Sequence, residues 1–177
     1  MAKRMKGLAL VFTTAAALAF LVYCRQQTGF WQAAAITAAT CAYHFAMRLA
    51  VGGFYDLLLH NRVDYRLWWF RPRCFEPKLY TALGVKGWKK HLPTYDPNTF
   101  SPKLHSWQEI AMATCQSELV HETIMLLSFV PLLAIGRYGA AAVFIITSAA
   151  AALFDSLFVV VQRFNRFRLV KLIEKAA

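Results

Sequence analysis

The sequence QSELVHETIMLLSFVPLLAIG, residues 116–136, combines a membrane-spanning pattern with ionisable side chains. From Leu119 onward it is apolar enough, and long enough as a helix, to cross a hydrocarbon core of about 30 Å. Yet Glu118, His121 and Glu122 stand at its beginning, and the last two lie inside the apolar run. Ionisable side chains are costly at that depth, so they indicate a polar site that faces other helices rather than lipid.

Three further apolar runs accompany this one, in a chain of 177 residues of which 58% are hydrophobic. The sequence therefore predicts an all-α integral membrane protein with four transmembrane helices. A loop rich in aromatic and basic residues is expected on the cytoplasmic membrane surface between helices two and three. The predicted parts of this single membrane domain, 1–177, are helix one 7–24, helix two 30–52, the interfacial loop 60–117, helix three 119–136, helix four 139–161 and a basic C-terminal segment 162–177.

Lys and Arg residues lie mostly on one side of the predicted helices. They precede helix one, recur through the 60–117 loop and follow Val161, whereas the opposite turns carry only Arg25 and Arg137. The positive-inside rule then predicts a multi-pass protein of the cell membrane with both termini in the cytoplasm. This topology and attraction to anionic headgroups or ligands explain the net charge of +11, so no nucleic-acid partner is expected.

The first apolar run follows AKRMK, as a secretory signal would, but VYCRQQTG offers no small-residue cleavage site. We therefore expect helix one to be retained. The four cysteines fall on different segments and form no CxxC pair, so neither a disulfide framework nor a zinc knuckle is expected, and no metal-binding residues are predicted. Ser106, with Glu109 three residues later, predicts a capping box that begins a helix running into helix three.

Three of the predicted helices carry polar residues near the inner interface, each on one face, because helical residues three or four apart share a side. We expect these faces to meet in a cavity open to the cytosol. The residues are His44 and Arg48 on helix two, then Cys115, Glu118, His121, Glu122 and Met125 on helix three, and Ser148, Asp155, Gln162 and Arg166 on helix four.

Each of these residues also has a structural interpretation. Arg48 can extend to the headgroups, and Asp155 can be the buried partner of an arginine. The basic segment QRFNRFR, residues 162–168, can serve only to anchor the protein to headgroups. His121 can be satisfied by the neighbouring glutamates alone. Three ionisable groups on one face at a costly depth nevertheless favour a functional site.

Three segments resemble the glycosyl-4,4'-diaponeurosporenoate acyltransferase family. They are WWFRPRCFEPKLYTALGVKGWKKHLPTYDPNTF, residues 68–100, CQSELVH, residues 115–121, and QRFNRFRL, residues 162–169. The matching positions are Arg71, Glu76, Tyr80, Val85, Trp88, Lys89, Leu92, Pro93, Glu118, Leu119, His121, Gln162, Arg163, Asn165, Arg166, Arg168 and Leu169. The resemblance covers roughly residues 40–172, and it implies an enzyme that esterifies the sugar of a carotenoid glycolipid with a fatty acyl group.

The sequence departs from the family pattern at three places. Phe167 stands where the pattern has proline, Gln116 stands where arginine is usual, and the first transmembrane helix is additional. The chain therefore resembles a distant relative with its own substrate.

Acyl transfer to a hydroxyl group needs a base, a group that stabilises the oxyanion and a grip on the acyl donor. The family resemblance and the polar faces together assign the base to His121, oriented by Glu118 or Glu122. The predicted substrate- and phosphate-binding residues are Arg163, Asn165, Arg166, Arg168, Gln162, Trp88, Lys89, Lys90, His44 and Arg48. The acyl chain is expected between helices, where the alanines of AAALAF, residues 15–20, and SAAAALF, residues 148–154, leave room.

Acyl-CoA or another acyl thioester is the expected co-substrate and no cofactor is predicted, with membrane lipids and the acyl donor as partners. The sequence does not indicate an oligomeric state. Cys115 shares a face with His121 and is an alternative nucleophile.

Two other classes of function stay open. A metal-dependent membrane oxidoreductase could use His44, His121 and the two glutamates, although HExxH is absent and the histidines are few. A non-catalytic lipid-binding or accessory subunit would fill the surroundings of His121 by mutual pairing and leave no room for a substrate.

Overall fold

The computed structural model describes residues 2–94 and 96–176, and every regular element in these ranges is helical. The helices are α1 Ala2–Gln26, α2 Gly29–Leu59, α3 Glu76–Ala82, α4 Val85–Trp88, α5 Trp107–Leu127, α6 Ile135–Tyr138 and α7 Ala141–Ala176. Short 3₁₀ turns cover Trp68–Phe70, Lys89–His91, Asn98–Phe100 and Val130–Ala134.

Four helical stretches of the described chain are long and apolar enough to cross a membrane. They are Lys3–Gln26, Gly29–Leu59, Trp107–Tyr138 and Ala141–Ala176. The predicted class, an all-α membrane protein with four spanning helices, is thereby confirmed. The helices extend beyond the predicted apolar runs, because the hydrogen bonds of a helix are made by the backbone and do not require apolar side chains. The basic segment after Val161, for example, continues α7 to Ala176.

The predicted capping box at the start of α5 is present. The Ser106 amide and hydroxyl both donate to Glu109 Oε2, at 2.8 and 2.9 Å, and the Glu109 amide donates to Ser106 Oγ at 3.2 Å. These bonds satisfy donors that a helix N-terminus otherwise leaves unpaired. As predicted, α5 then runs without interruption through Glu118 and His121 to Leu127.

The third apolar stretch is not one straight α-helix, because Pro131 interrupts it. Proline has no N–H to donate to the carbonyl four residues earlier, and its ring crowds that carbonyl. The carbonyl in question belongs to Leu127, the last residue of α5, and it accepts a hydrogen bond of 2.8 Å from the Tyr43 hydroxyl on α2. A side chain thus replaces the missing backbone donor, as apolar surroundings require.

The chain forms two compact units, one of residues 1–52 and 123–154 and the other of residues 53–122 and 155–177. In the first unit, the rings of Phe12 and Phe45 stack at 5.7 Å between centroids and join α1 to α2. The prediction of a single membrane domain stays a prediction.

In the second unit, the part of the predicted 60–117 loop that precedes α5 packs on α5 and on the C-terminal part of α7. Three small clusters hold it there, each formed by buried residues from different elements. Their buried members are Val63, Phe70 and Cys115 in the first, Tyr80, Val85 and Val161 in the second, and Ile110, Ala111 and Leu169 in the third. The segment is therefore a folded layer, built from short helices and turns, that positions the candidate site.

Candidate active site

His121 on α5 and Asp155 on α7 form a pair. His121 Nδ1 lies 2.9 Å from Asp155 Oδ1, and the imidazole ring stacks on Phe158, with centroids 4.5 Å apart and planes 8° apart. The Asp155 side chain is 1% exposed and that of His121 is 19% exposed. In the tautomer that suits a carboxylate acceptor, Nδ1–H donates to Asp155 and Nε2 is left as the acceptor nitrogen of the ring.

His121 lines a cavity of about 320 Å³ within the second unit. Five predicted site residues contribute to its wall, namely Lys89, Lys90, His121, Gln162 and Asn165. Leu92, Pro93, Phe100, Phe158 and Val161 supply its apolar surface. The lining of this concave site is nearly as polar as it is apolar, and its polar groups converge on one space as they do in substrate pockets.

Three of the polar residues in this cavity are Lys89, Asn165 and Gln162. Lys89 Nζ donates to Asn165 Oδ1 at 2.7 Å and lies 4.8 Å from the centroid of the Phe164 ring. Burial, and secondarily the positive charge of Arg168, lower the pKa of Lys89 below its ordinary value. Gln162 is 8% exposed, and no described group donates to its Oε1 atom. The cavity wall therefore contains a positively charged group, Lys89, and a hydrogen-bond acceptor, Gln162 Oε1, that has no donor among the described residues.

Glu118 belongs to a different set of contacts from His121. It is fully buried, and its two oxygens accept from Arg163 Nη1 and Arg166 Nη2 on α7. Arg163 also donates through Nε to Glu76 Oε1 at 2.8 Å, and Glu76 in turn accepts from the Tyr80 hydroxyl at 2.9 Å. Two guanidinium groups therefore face two carboxylates, which is how buried charges are stabilised.

The same two arginines hold the backbone of residues 69–71. Arg163 Nη1 and Nη2 donate to the carbonyls of Trp69 and Arg71, each at 3.2 Å, and Arg166 Nε donates to that of Phe70, also at 3.2 Å. The Arg166 guanidinium lies 5.0 Å from the centre of the Phe70 ring. These contacts fix the loop to α7. We call Glu76, Glu118, Arg163 and Arg166 the arginine–glutamate network.

Tyr80 completes this network. Burial raises the pKa of the Tyr80 hydroxyl far above its ordinary value, and the hydrogen bond to Glu76 adds to the shift. Tyr80 therefore stays a neutral donor to Glu76.

The two glutamates beside His121 have partners other than the imidazole. Glu118 contacts the arginines, and Glu122 Oε2 accepts a hydrogen bond of 3.1 Å from Trp69 Nε1. The carboxylate on the imidazole is that of Asp155. The expectation that Glu118 or Glu122 orients the ring is therefore revised in favour of Asp155.

The remaining predicted residues lie outside the cavity wall. Trp88 Nε1 donates to the Leu83 carbonyl at 2.8 Å, and the Arg168 guanidinium lies 5.9 Å from the Phe164 ring centre. His44 and Arg48 belong to the first unit, where Arg48 Nη1 donates to the His44 carbonyl at 3.2 Å.

Cys115, the alternative nucleophile, is fully buried in the cluster with Val63 and Phe70. Its thiol donates to the Ala111 carbonyl at 3.3 Å. These contacts place it in the core of the second unit.

Asp155 is among the polar residues predicted on helix four, but its pairing with His121 was not predicted, and Phe158 is not among the predicted site residues. Asp155 and Gln162, seven residues apart, lie on the face of α7 that bears the polar groups. A carboxylate inside a spanning helix needs a partner, and a histidine was predicted at the same depth. Those two facts would have been sufficient to suggest the pair.

The similarity to known proteins covers most of the second unit and residues 123–154 of the first. A family model described as glycosyl-4,4'-diaponeurosporenoate acyltransferase matches residues 66–175, which is more than half of the chain. The matched range contains His121, Asp155 and all the residues that line the cavity, whereas α1 and α2 precede it. Neither curated proteins nor solved structures gave a match.

Proposed function

Because the chain belongs to the glycosyl-4,4'-diaponeurosporenoate acyltransferase family, we propose that it transfers a fatty acyl group to a hydroxyl of a glycolipid or other lipid acceptor. The family points to an acyltransferase of glycolipid biosynthesis, and the proposed donor is an acyl thioester such as acyl-CoA. The observation that carries the proposal is the His121–Asp155 pair on the wall of a cavity with a basic and amide lining.

His121 is the general base in this proposal. Its Nε2 atom takes the proton of the acceptor hydroxyl as the oxygen forms a bond to the thioester carbonyl carbon. The carbon–sulfur bond then breaks, and the sulfur leaves with that proton, so the ring returns to its neutral form. Asp155 holds the ring through Nδ1 and stabilises the imidazolium that exists between the two steps. The Phe158 ring stacks on one face of the imidazole and limits how far the imidazole can tilt.

The other cavity residues bind the two substrates. The acceptor hydroxyl groups supply donors for Gln162 Oε1, which is buried and has no other donor among the described residues. Lys90 is exposed and lines the same cavity, so in this proposal it binds the phosphates of an acyl-CoA. Arg168, whose charge acts on Lys89, adds a second positive charge nearby. Lys89 is held by Asn165 and is suited to stabilise the oxyanion.

The cavity also bears on the accessory-subunit alternative. That alternative expects the surroundings of His121 to be filled by mutual pairing. Pairing does account for Glu118 and Glu122, but about 320 Å³ remains open beside His121. This volume is at the lower end of the roughly 300–1,000 Å³ found for small-molecule sites, which supports catalysis over a filled polar contact.

The test uses the purified full chain in lipid nanodiscs with radiolabelled acyl-CoA and a lipid extract as acceptor. His121→Ala should keep the helical content and lose about 10²–10⁴-fold in the rate of label transfer to lipid. His121→Gln should not restore the rate, because an amide cannot take a proton. The matched control is His105→Ala, which removes an exposed histidine outside the cavity. Equal rates for parent and His121→Ala would refute the base assignment.

The proposal places this chemistry at the inner face of the cell membrane, with both termini in the cytoplasm. The segregation of Lys and Arg supports this orientation. A single cysteine introduced at Arg137, in a background without the other cysteines, should react with a membrane-impermeant maleimide added from outside. Reaction only after the cytoplasmic face is opened would reverse the topology.

A further inference from the structure

The first unit, residues 1–52 and 123–154, contains a second and larger cavity of about 1120 Å³. Its volume exceeds the roughly 300–1,000 Å³ of sites for drug-sized ligands. None of the residues assigned above to the base or to substrate and phosphate binding is among the described residues that line it, although Ala16 and Ala17 belong to the stretch where the sequence predicts room for an acyl chain. The family match begins at residue 66, so the α1 and α2 walls of the cavity lie outside it, whereas the lining residues between Val130 and Phe144 lie inside it.

Small side chains on two helices create the space. Ala16 and Ala17 line it from α1, and Ala35 and Ala39 line it from α2. The opposite wall is the 3₁₀ turn Val130–Ala134, which follows the break of α5 at Pro131. A regular helix would have continued past Leu127, so the proline both ends α5 and shapes this wall.

The polar atoms deep in the cavity already have partners in the protein. The Tyr43 hydroxyl donates to the Leu127 carbonyl at 2.8 Å, and the Thr40 hydroxyl donates to the Ile36 carbonyl at 2.8 Å. Because these donors are engaged internally, the deep wall offers an occupant mainly apolar contact. A hydrocarbon chain meets this requirement, whereas a polar ligand would lose its hydration without compensation.

The other end of the cavity is polar and positively charged. Tyr23 and Gln32 lie three residues from the facing ends of α1 and α2, and Arg137 and Tyr138 lie on α6, just before α7 begins. The Arg137 guanidinium is exposed and lies 5.9 Å from the centre of the Tyr138 ring. Among the described lining residues Arg137 is the single charged one, and no carboxylate neutralises it there.

We propose that this cavity is a binding site for an anionic membrane lipid, with a hydrocarbon chain along the alanines of α1 and α2 and the headgroup phosphate on Arg137. A planar guanidinium can donate two parallel hydrogen bonds to a phosphate. The phenol of Tyr138 and the amide of Gln32 add neutral donors beside it. A zwitterionic lipid of equal chain length carries a compensating cation, so it gains less from the lone positive charge.

Lipid selectivity tests the proposal. The full chain is purified in detergent and titrated with phosphatidylglycerol or phosphatidylcholine of matched chains, and bound lipid is counted by native mass spectrometry. The parent should bind phosphatidylglycerol about tenfold more tightly, a difference of about 1.4 kcal/mol. Arg137→Gln should remove that preference. Arg25→Gln, which neutralises an exposed arginine near the end of α1 that does not line the cavity, should keep it.

A second pair of variants tests the hydrocarbon part of the site. Ala39→Phe fills the cavity and should weaken the binding of both lipids, whereas Ala33→Phe, at an exposed alanine of α2 outside the cavity, should change neither. Equal affinity of the parent for the two lipids, or an unchanged preference in Arg137→Gln, would overturn the proposal. So would equal effects of the two phenylalanine variants. None of these measurements depends on acyl transfer, so they leave the proposed function untouched.

Discussion

Replacing Glu118 by glutamine is expected to destabilise the protein before it affects any chemistry. Glu118 is fully buried, and its two oxygens contact Arg163 and Arg166. The substitution keeps the shape of the side chain but removes its negative charge. Arg163 retains Glu76 as a second carboxylate, whereas Arg166, with a side chain only 3% exposed, loses the carboxylate that it contacts.

The expected magnitude follows from that asymmetry. Leaving one buried charge without its partner costs about 3–5 kcal/mol. For a chain of this size, 1 kcal/mol corresponds to roughly 2–4 °C in melting temperature, so the expected loss is roughly 6–20 °C. The matched control is Glu122→Gln, one turn further along α5. Glu122 accepts a hydrogen bond from the Trp69 indole, and glutamine keeps an oxygen that can accept it, so this variant should lose less than about 1 kcal/mol.

Thermal unfolding of the purified variants in detergent, followed by the loss of helical circular dichroism, measures this difference. Glu118→Gln should unfold well below both the parent and Glu122→Gln. The assignment of Glu118 to the arginine–glutamate network would be refuted by a melting temperature within a few degrees of that of Glu122→Gln. A normal melting temperature combined with a lost transfer rate would return Glu118 to the catalytic residues.

Three further outcomes are expected. Asp155→Asn should keep the bond to His121 but favour the wrong tautomer, lowering kcat roughly 10²–10⁴-fold with little change in KM in the acyl-transfer assay. Burial lowers the pKa of Lys89 in the folded protein below its ordinary value of 10.5. Between the folded-state pKa and 10.5, the unfolded chain therefore binds a proton at Lys89 that the folded protein does not. The free energy of unfolding of the parent, measured against pH, should accordingly rise toward pH 10.5 relative to that of Lys89→Met. Tyr43→Phe should cost about 1 kcal/mol in thermal unfolding, and clearly less when Pro131→Ala supplies a backbone donor to the same carbonyl.

The helices of this protein could be predicted from the sequence because their determinants are local. Apolar runs define the spanning segments, and Ser106 with Glu109 defines the start of α5 through neighbours three residues apart. The break at Pro131 could also have been predicted, since a proline lacks the backbone N–H that would bond to the carbonyl four residues earlier. The short helices α3 and α4 were harder to predict from the sequence, because they depend on contacts with distant residues, such as the hydrophobic cluster of Tyr80, Val85 and Val161.

The sequence indicates several residues that line the candidate site, but not which of them pair with one another. His121, Glu118 and Arg163 were all named, yet spacing along a helix shows only which side chains share a face. Which carboxylate reaches the imidazole depends on the rotation of α7 against α5, and that rotation places Asp155 on His121. The same rotation assigns Glu118 to the arginines. Sequence periodicity holds no information on such a choice between partners of equal charge.

The contacts of Arg163 and Arg166 with the loop also determine where the sequence can change. Both arginines bind carbonyl oxygens of residues 69–71, which every amino acid possesses, so these contacts do not depend on the side chains there. Trp68 is exposed, whereas Phe70 is buried, Trp69 donates to Glu122, and Arg71 Nε donates to the Arg66 carbonyl at 3.0 Å. A substitution at Trp68 can therefore alter the outer surface of the loop while these contacts stay in place, which makes it a suitable position for attaching a spectroscopic probe or for building surface variants.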